Sequence, residues 1–201
     1  MSEHERGTAR AKLLDAAIDV IRRQGYHATS VDDLCRAAGV TKGAFFHHFA
    51  SKRELAVAAA DHWSRTTGNL FERATYHDAP TPTERVLGYL DLRSDLISGP
   101  AESFTCLVGT MAQETFASEP EIRDACADSI LGHASTLEAD LDAALSPEAV
   151  ADGVTAADLA RHMQAVIQGA FILAKATHDP AAATDSIEHL RRYVTHLLQP
   201  A

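Results

Sequence analysis

The chain has 201 residues, 46% of them hydrophobic, and a formal charge of −10, enough for one large or two small globular domains. No apolar run nears the ~18 residues of a membrane helix, and residues 1–7 are polar throughout, so neither a membrane span nor a secretory leader is expected and the cytoplasm is the expected location. Cys35, Cys106 and Cys126 are odd in number and lack CxxC or CxxH spacing, so they offer no disulfide framework.

Alanine is abundant, aromatics are few, and glycine and proline fall at punctuation points, a composition that favours an all-α protein. Residues 1–7 read as a disordered tail. Thr8 can cap a helix over residues 9–24, where Leu14, Ala17, Ile18 and Ile21 recur at helical spacing. Ser30 can cap a second helix carrying Asp32 and Asp33 in its first turn, where negative charge suits the helix dipole. Leu34, Ala37 and Ala38 give that helix an inner face, and Gly39 stops it. Thr41 caps a third, very short helix packed through Phe45 and Phe49. Lys42, Gly43, Ala44, Phe46, His47 and His48 are left at its start and outer side. Ser51-Lys-Arg-Glu54 is a capping-box sequence that opens a fourth helix reaching about residue 72. A short two-helix unit with glycine in its turn and a basic, polar second N-terminus is the layout of a helix-turn-helix.

The segment from residue 8 to about 63 resembles the N-terminal domain of TetR-family transcriptional regulators. The matching features are Gly25-Tyr26, Thr29-Ser30-Val31, Ala38-Gly39-Val40, Lys42-Gly43, and Phe46-His47-His48-Phe49 followed by Ser51-Lys52. The resemblance implies that Thr41, Lys42, Gly43 and Ala44 start the recognition helix. There Lys42 can donate to guanine, Ala44 can touch a thymine methyl, and Gly43 lets the backbone approach. It also implies phosphate contacts from His48 and Lys52, with Ser30 and Arg36 as further candidates and His47 beside them. Phe46 departs from the family pattern, where a tyrosine commonly bonds a phosphate; phenylalanine keeps the packing and loses the bond. Domain boundaries follow as 8–55 for DNA binding and 56–201 for effector binding and dimerisation.

Charge is distributed accordingly. Residues 1–60 hold nine Lys/Arg against seven Asp/Glu, a balance of +2, and residues 61–201 carry −12. A head of +2 makes few phosphate contacts alone, so two heads are expected to act together.

Beyond the head, residues 75–82 read as a loop and 83–98 as a buried helix. A helix from about Phe104 to 117 follows, then one from 118 to about 145, and a loop over 146–154. From residue 155 a helix carries two apolar stripes: Leu159, Met163, Val166, Ala170 and Leu173, then Ile167, Phe171 and Ala174. Two stripes imply burial on two sides. With Gly169 permitting close approach, and Leu190, Val194 and Leu197 on the last helix, this pair is the expected homodimer interface.

By the resemblance, an effector cavity lies among the middle helices. Trp63, Phe71, Tyr89, Phe104, Leu107, Met111 and Phe171 would supply its walls, with Gln113 and His133 as polar anchors. With no cluster of arginines in that segment, the expected ligand is a small, largely apolar organic molecule. The fold is therefore expected to be all-α, an N-terminal helix-turn-helix domain followed by a helical ligand-binding and dimerisation domain. The function expected is a repressor released from a near-palindromic DNA operator by its effector, with no cofactor, no metal and no enzymatic activity. The competing reading is a helical redox or metal-dependent sensor or enzyme using the Cys and His side chains, which lacks any HxxxH or nucleophile-base spacing.

Overall fold

The computed structural model describes residues 8–198, so the expected tail at 1–7 lies outside the described residues. Twelve α-helices and one short 3₁₀ turn occur among them, with no strand. They fall into two compact units, one combining residues up to 67 with 106–129 and the other combining 68–105 with residues from 130 onward.

The first unit opens with α1 (Ala9–Gln24), capped by Thr8 and stopped at Gly25, whose φ of 87° suits a residue without Cβ. A Cβ at Gly25 would come within 2.2 Å of Glu114 Oε1. α2 (Val31–Ala38) ends at Gly39 in the left-handed conformation, α3 (Lys42–His48) is capped by Thr41, and α4 runs from Lys52 to Glu72. Leu13, Leu14, Ala17 and Ile21 of α1 are buried together with Leu34, Phe45, Phe49 and Leu55, and α1 packs on both α2 and α3. The expected box at Ser51 forms with a shift: Glu54 N–H donates to Ser51 Oγ (3.1 Å), and the Glu54 carboxylate accepts from Ala50 N–H (2.7 Å).

The same unit contains α7 (Leu107–Thr115), which packs on α1 and buries Leu107, Val108 and Met111. The helix expected from Phe104 onward is broken at Thr105-Cys106, leaving α6 (Ala101–Phe104) in the second unit. Cys106 Sγ caps the restarted helix by accepting from Gly109 N–H at 3.5 Å.

The second unit is built on α5 (Pro82–Asp95), α9 (Glu138–Ala144), α11 (Ala156–Thr177) and α12 (Ala181–Leu198), with α5 packed on both α9 and α12, and α11 on α12. Thr81 and Glu84 form a reciprocal capping box, with Pro82 in the first turn. The long helix expected over 118–145 is interrupted after α8 (Pro120–Ser135). Hydroxyls of Ser135 and Thr136 bond the carbonyls of Gly132 and His133 (2.8 and 2.7 Å), capturing acceptors that a continuing helix would use. Within the stretch expected as a loop, Ser146 and Pro147 start one more short helix, α10 (Pro147–Ala151).

Candidate functional site

The start of α3 presents the groups expected of a groove-reading helix. Thr41 accepts from Ala44 N–H at 3.2 Å, which fixes the first turn. Lys42, Gly43, Phe46 and His47 are exposed, while Phe45 and Phe49 anchor the helix from below. His47 and His48 stand edge to face, 4.9 Å between centroids.

The polar neighbours are already partnered within the chain. Lys42 Nζ lies 2.7 Å from Asp32 Oδ1, and that hydrogen bond raises its pKa. Ser30 and Asp33 form a reciprocal box, and Arg36 donates to Asp33 at 3.0 Å. Hydrogen bonds from Ser30, then Arg36, hold the Asp33 carboxyl below its usual range. Lys52, expected at a phosphate, is engaged within the chain. Its Nζ donates to the carbonyls of Tyr26 (2.9 Å) and Thr29 (2.8 Å) and sits 4.1 Å from the Tyr26 ring centroid. Desolvation lowers its pKa. Its contacts join α4 to the turn between α1 and α2.

The residues expected around an effector divide between the units. Trp63, Leu107, Met111 and Gln113 belong to the first. Leu107 and Met111 are fully buried there, Trp63 stacks under Arg22 at 5.3 Å, and Gln113 is exposed, donating to Gly109 O of its own helix. Glu114 instead makes the long-range contact: its carboxylate accepts from His27 N–H at 2.8 Å, fixing α7 against the end of α1.

In the second unit Phe71, Tyr89 and His133 meet. The Phe71 and His133 rings lie 4.8 Å apart, and Phe71 and Tyr89 5.5 Å apart. Phe104 and Phe171 form a separate pair at 6.0 Å. Tyr89 is fully buried and its Oη receives Nε of Arg93 at 2.8 Å and Nε2 of Gln164 at 2.9 Å. His133 Nε2 lies 2.7 Å from Arg93 Nη2 and 3.0 Å from Tyr89 Oη. A guanidinium only donates, so Nε2 is the acceptor and the imidazole proton sits on Nδ1. Burial first, and the Arg93 charge second, push the His133 pKa down to about 3. Tyr76, raised to about 12 by burial, closes one side of the cluster, edge-on to Tyr89 at 6.0 Å.

The apolar stripe proposed for dimerisation divides as well. Leu159, Met163, Ala170, Leu190 and Val194 are 3% exposed or less, occupied by the chain's own core. Val166, Gly169 and Leu197 are half-buried, and Leu173 and Ile172 are 52% and 45% exposed. The open face also carries His162 against Tyr193, with ring centroids 5.6 Å apart. Among the described residues no three His, Cys, Asp or Glu side chains gather as metal ligands. Cys126 is fully buried with its thiol pushed up to about 12, mainly by desolvation, which makes it a poor nucleophile.

Residues 13–59 match the model for bacterial regulatory proteins of the tetR family, and residues 82–190 match the tetracyclin repressor-like C-terminal domain. The chain belongs to the TetR family. Relatives include the uncharacterized HTH-type transcriptional regulator YxaF of Bacillus subtilis, 26% identical over 60% of this chain and 63% of that protein. The transcriptional regulator AcuR of Cereibacter sphaeroides is 27% identical over 58% of this chain and 53% of its own length. The chain thus spans less than two thirds of the length of these two curated relatives. The crystal structure of regulatory protein TetR from Rhodobacter sphaeroides superimposes with a TM-score of 0.78 at 21% identity, covering 95% of this chain and 99% of that one. TetR membership agrees with the all-α fold and its N-terminal helix-turn-helix, and places the chain in a regulatory rather than an enzymatic family. No helix among the described residues is long and apolar enough to cross a membrane.

Two partners in the TetR C-terminal unit, Arg93 and Gln164, were missed by sequence reasoning. Arg93 follows Tyr89 by four residues, so one face of α5 carries both, a spacing that could have flagged it. Gln164 lies next to Met163 in an apolar stripe, and a polar residue at such a position signals a buried hydrogen bond.

Proposed function

We propose that this protein is a homodimeric, cytoplasmic transcriptional repressor, released from a near-palindromic operator by a small organic effector bound in its C-terminal unit. The observation that carries the reading is the start of α3. A capped helix N-terminus there follows a glycine turn and exposes Lys42, Gly43, Phe46 and His47, held from beneath by Phe45 and Phe49. Thr41, Lys42, Gly43 and Ala44 read base edges, with His47, His48 and the helix N-terminus toward the backbone. Ser30 and Arg36 flank them, and Phe46 contributes packing against the sugar edge.

Two such helices per dimer would enter successive major grooves about 34–36 Å apart. Val166, Gly169, Ile172 and Leu173 supply the apolar patch for the isologous contact, because the other residues of the stripe are consumed inside the chain. Phe71, Tyr89 and His133, with Phe104 and Phe171 in the same unit, supply the effector-binding region. An effector that binds one conformation of this region better than another lowers DNA affinity by that difference in binding free energy.

Selection of DNA from a random pool by the purified protein tests the first half. Enriched sequences should contain two inverted half-sites with centres one helical turn apart; absence of enrichment would overturn the reading. Screening small molecules for release of the selected DNA tests the second half.

A further inference from the structure

In the C-terminal unit, Arg85, Arg161, Arg191 and Arg192 are neutralised by Asp140, Asp158, Asp91 and Glu188 respectively. Arg93 is not. Among the described residues it has no carboxylate partner; its contacts are the Tyr89 hydroxyl, His133 Nε2 and two aromatic faces. Its guanidinium carbon lies 4.3 Å from the Phe71 centroid and 5.2 Å from that of Tyr89.

A guanidinium carries five N–H donors in a planar fork. Nε–H is used by Tyr89 and one Nη2–H by His133. The remaining three donors, both on Nη1 and one on Nη2, have no protein acceptor among the described residues. The residue is half-buried, and Nη1 is not among the buried, unpartnered nitrogens of the described residues, so it keeps access to solvent. A positioned, uncompensated guanidinium edge between aromatic rings matches the two oxygens of a carboxylate, which accept two parallel N–H bonds.

We propose that the Nη1/Nη2 edge of Arg93 anchors the carboxylate of a small organic monoanion, with Phe71 and the half-buried Tyr76 beside its apolar part. The proposal deepens the effector reading above, and rests on it for the step from binding to DNA release. It adds one charge to the small, largely apolar ligand expected from the sequence. One charge on the ligand is the match, because the cluster offers one cation: His133 remains neutral at physiological pH. A polyphosphate would need several.

The anchor also has a way to report its occupancy. The single lone pair of His133 Nε2 faces two donors, Arg93 Nη2 at 2.7 Å and the Tyr89 hydroxyl at 3.0 Å. A carboxylate on this edge takes up free hydrogens of Nη1 and Nη2, and any rotation of the guanidinium toward it weakens the other Nη2 bond, the one to His133. Nε2 then leans on Tyr89, whose Oη Gln164 of α11 continues to hold.

The test is a titration of the full-length protein with benzoate and hexanoate against benzamide and hexanamide, read by the imidazole nitrogen resonances of His133 and by calorimetry. At least one acid should bind tenfold or more tightly than its amide, with a shift at His133 Nε2. In Arg93→Gln, checked for folding by its thermal transition, that acid should fall to the level of the amide. Equal binding of acid and amide, no acid binding at all, or acid binding undiminished in a folded Arg93→Gln would each overturn the proposal. The wild-type acid-against-amide comparison stands even if the variant does not fold. A neutral molecule that releases operator DNA independently of Arg93 would overturn the anion and leave the repressor reading intact. Acid binding at Arg93 in a protein that selects no DNA would do the reverse.

Discussion

Lys42 Nζ and Asp32 Oδ1 stand 2.7 Å apart, so the side chain best placed to read a base is paired with a carboxylate of the preceding helix. Both groups are exposed, and such pairs are readily exchanged for stronger partners. DNA would therefore recruit Lys42 at little cost, but the Asp32 charge would remain close to the phosphates.

Lys42→Ala should weaken operator binding about tenfold to a hundredfold and relax discrimination at one position per half-site. Asp32→Asn should do the opposite for affinity, tightening binding to operator and unrelated DNA alike by a few fold, since it removes a like charge from the interface. Fluorescence titrations over a range of salt concentrations measure both. Tighter binding by Lys42→Ala, or weaker binding by Asp32→Asn, would show that α3 does not lie in the groove.

Lys52 ties α4 to the turn between α1 and α2 through the carbonyls of Tyr26 and Thr29 and the Tyr26 ring. Lys52→Met keeps the aliphatic stem and deletes both hydrogen bonds. A loss of about 1–2 kcal/mol in unfolding free energy is expected from denaturant titration. The salt dependence of DNA binding should be unchanged; a slope reduced by about one would mean that the ammonium leaves these carbonyls for a phosphate.

His133 gives the C-terminal unit an acid limit. An unfolded histidine titrates near 6.5, while the folded one is held down to about 3 by burial and by Arg93. Between those values the unfolded chain takes up a proton that the folded chain refuses. Stability is thus fully present above about pH 6.5 and declines as pH falls toward 3, by roughly 1.4 kcal/mol per pH unit at most. Chemical denaturation at pH 7.5, 6 and 5 should reveal the decline, and His133→Gln should flatten it. An unchanged slope in the variant would assign the acid sensitivity elsewhere.

The exposed part of α11 predicts how the chain associates. Val166→Asp or Leu173→Asp places a charge on an open apolar face and should give monomers in sedimentation experiments at micromolar concentration. The thermal transition of the isolated chain should change little, because neither side chain belongs to its core. Dimers that persist in both variants would require another interface.

Local chemistry was enough to write much of the head from sequence. The caps Thr8, Ser30 and Thr41 act within three residues of themselves, and Gly39 stops a helix by its own conformational freedom, so α1 to α4 were legible with their ends. The same holds for the exposure of Lys42 and His47, which follows from Phe45 and Phe49 facing inward. Contacts between distant parts of the chain were not legible in this way. Lys52 looks like any exposed lysine at a helix start until the Tyr26 and Thr29 carbonyls are brought to it, and Glu114 reaches His27 across 87 residues. On α11, Met163 and Val166 belong to one apolar stripe and are equally hydrophobic. Only the packing of α5, α9 and α12 decided that Met163 fills the core and Val166 stays at the open face. Arg93, four residues after Tyr89, and Gln164, a polar residue in an apolar stripe, carry a local hint of a role but not the identity of their partners. Their roles arise where Tyr89 and His133 converge, because burial and hydrogen-bond partners depend on neighbours that the local sequence does not contain.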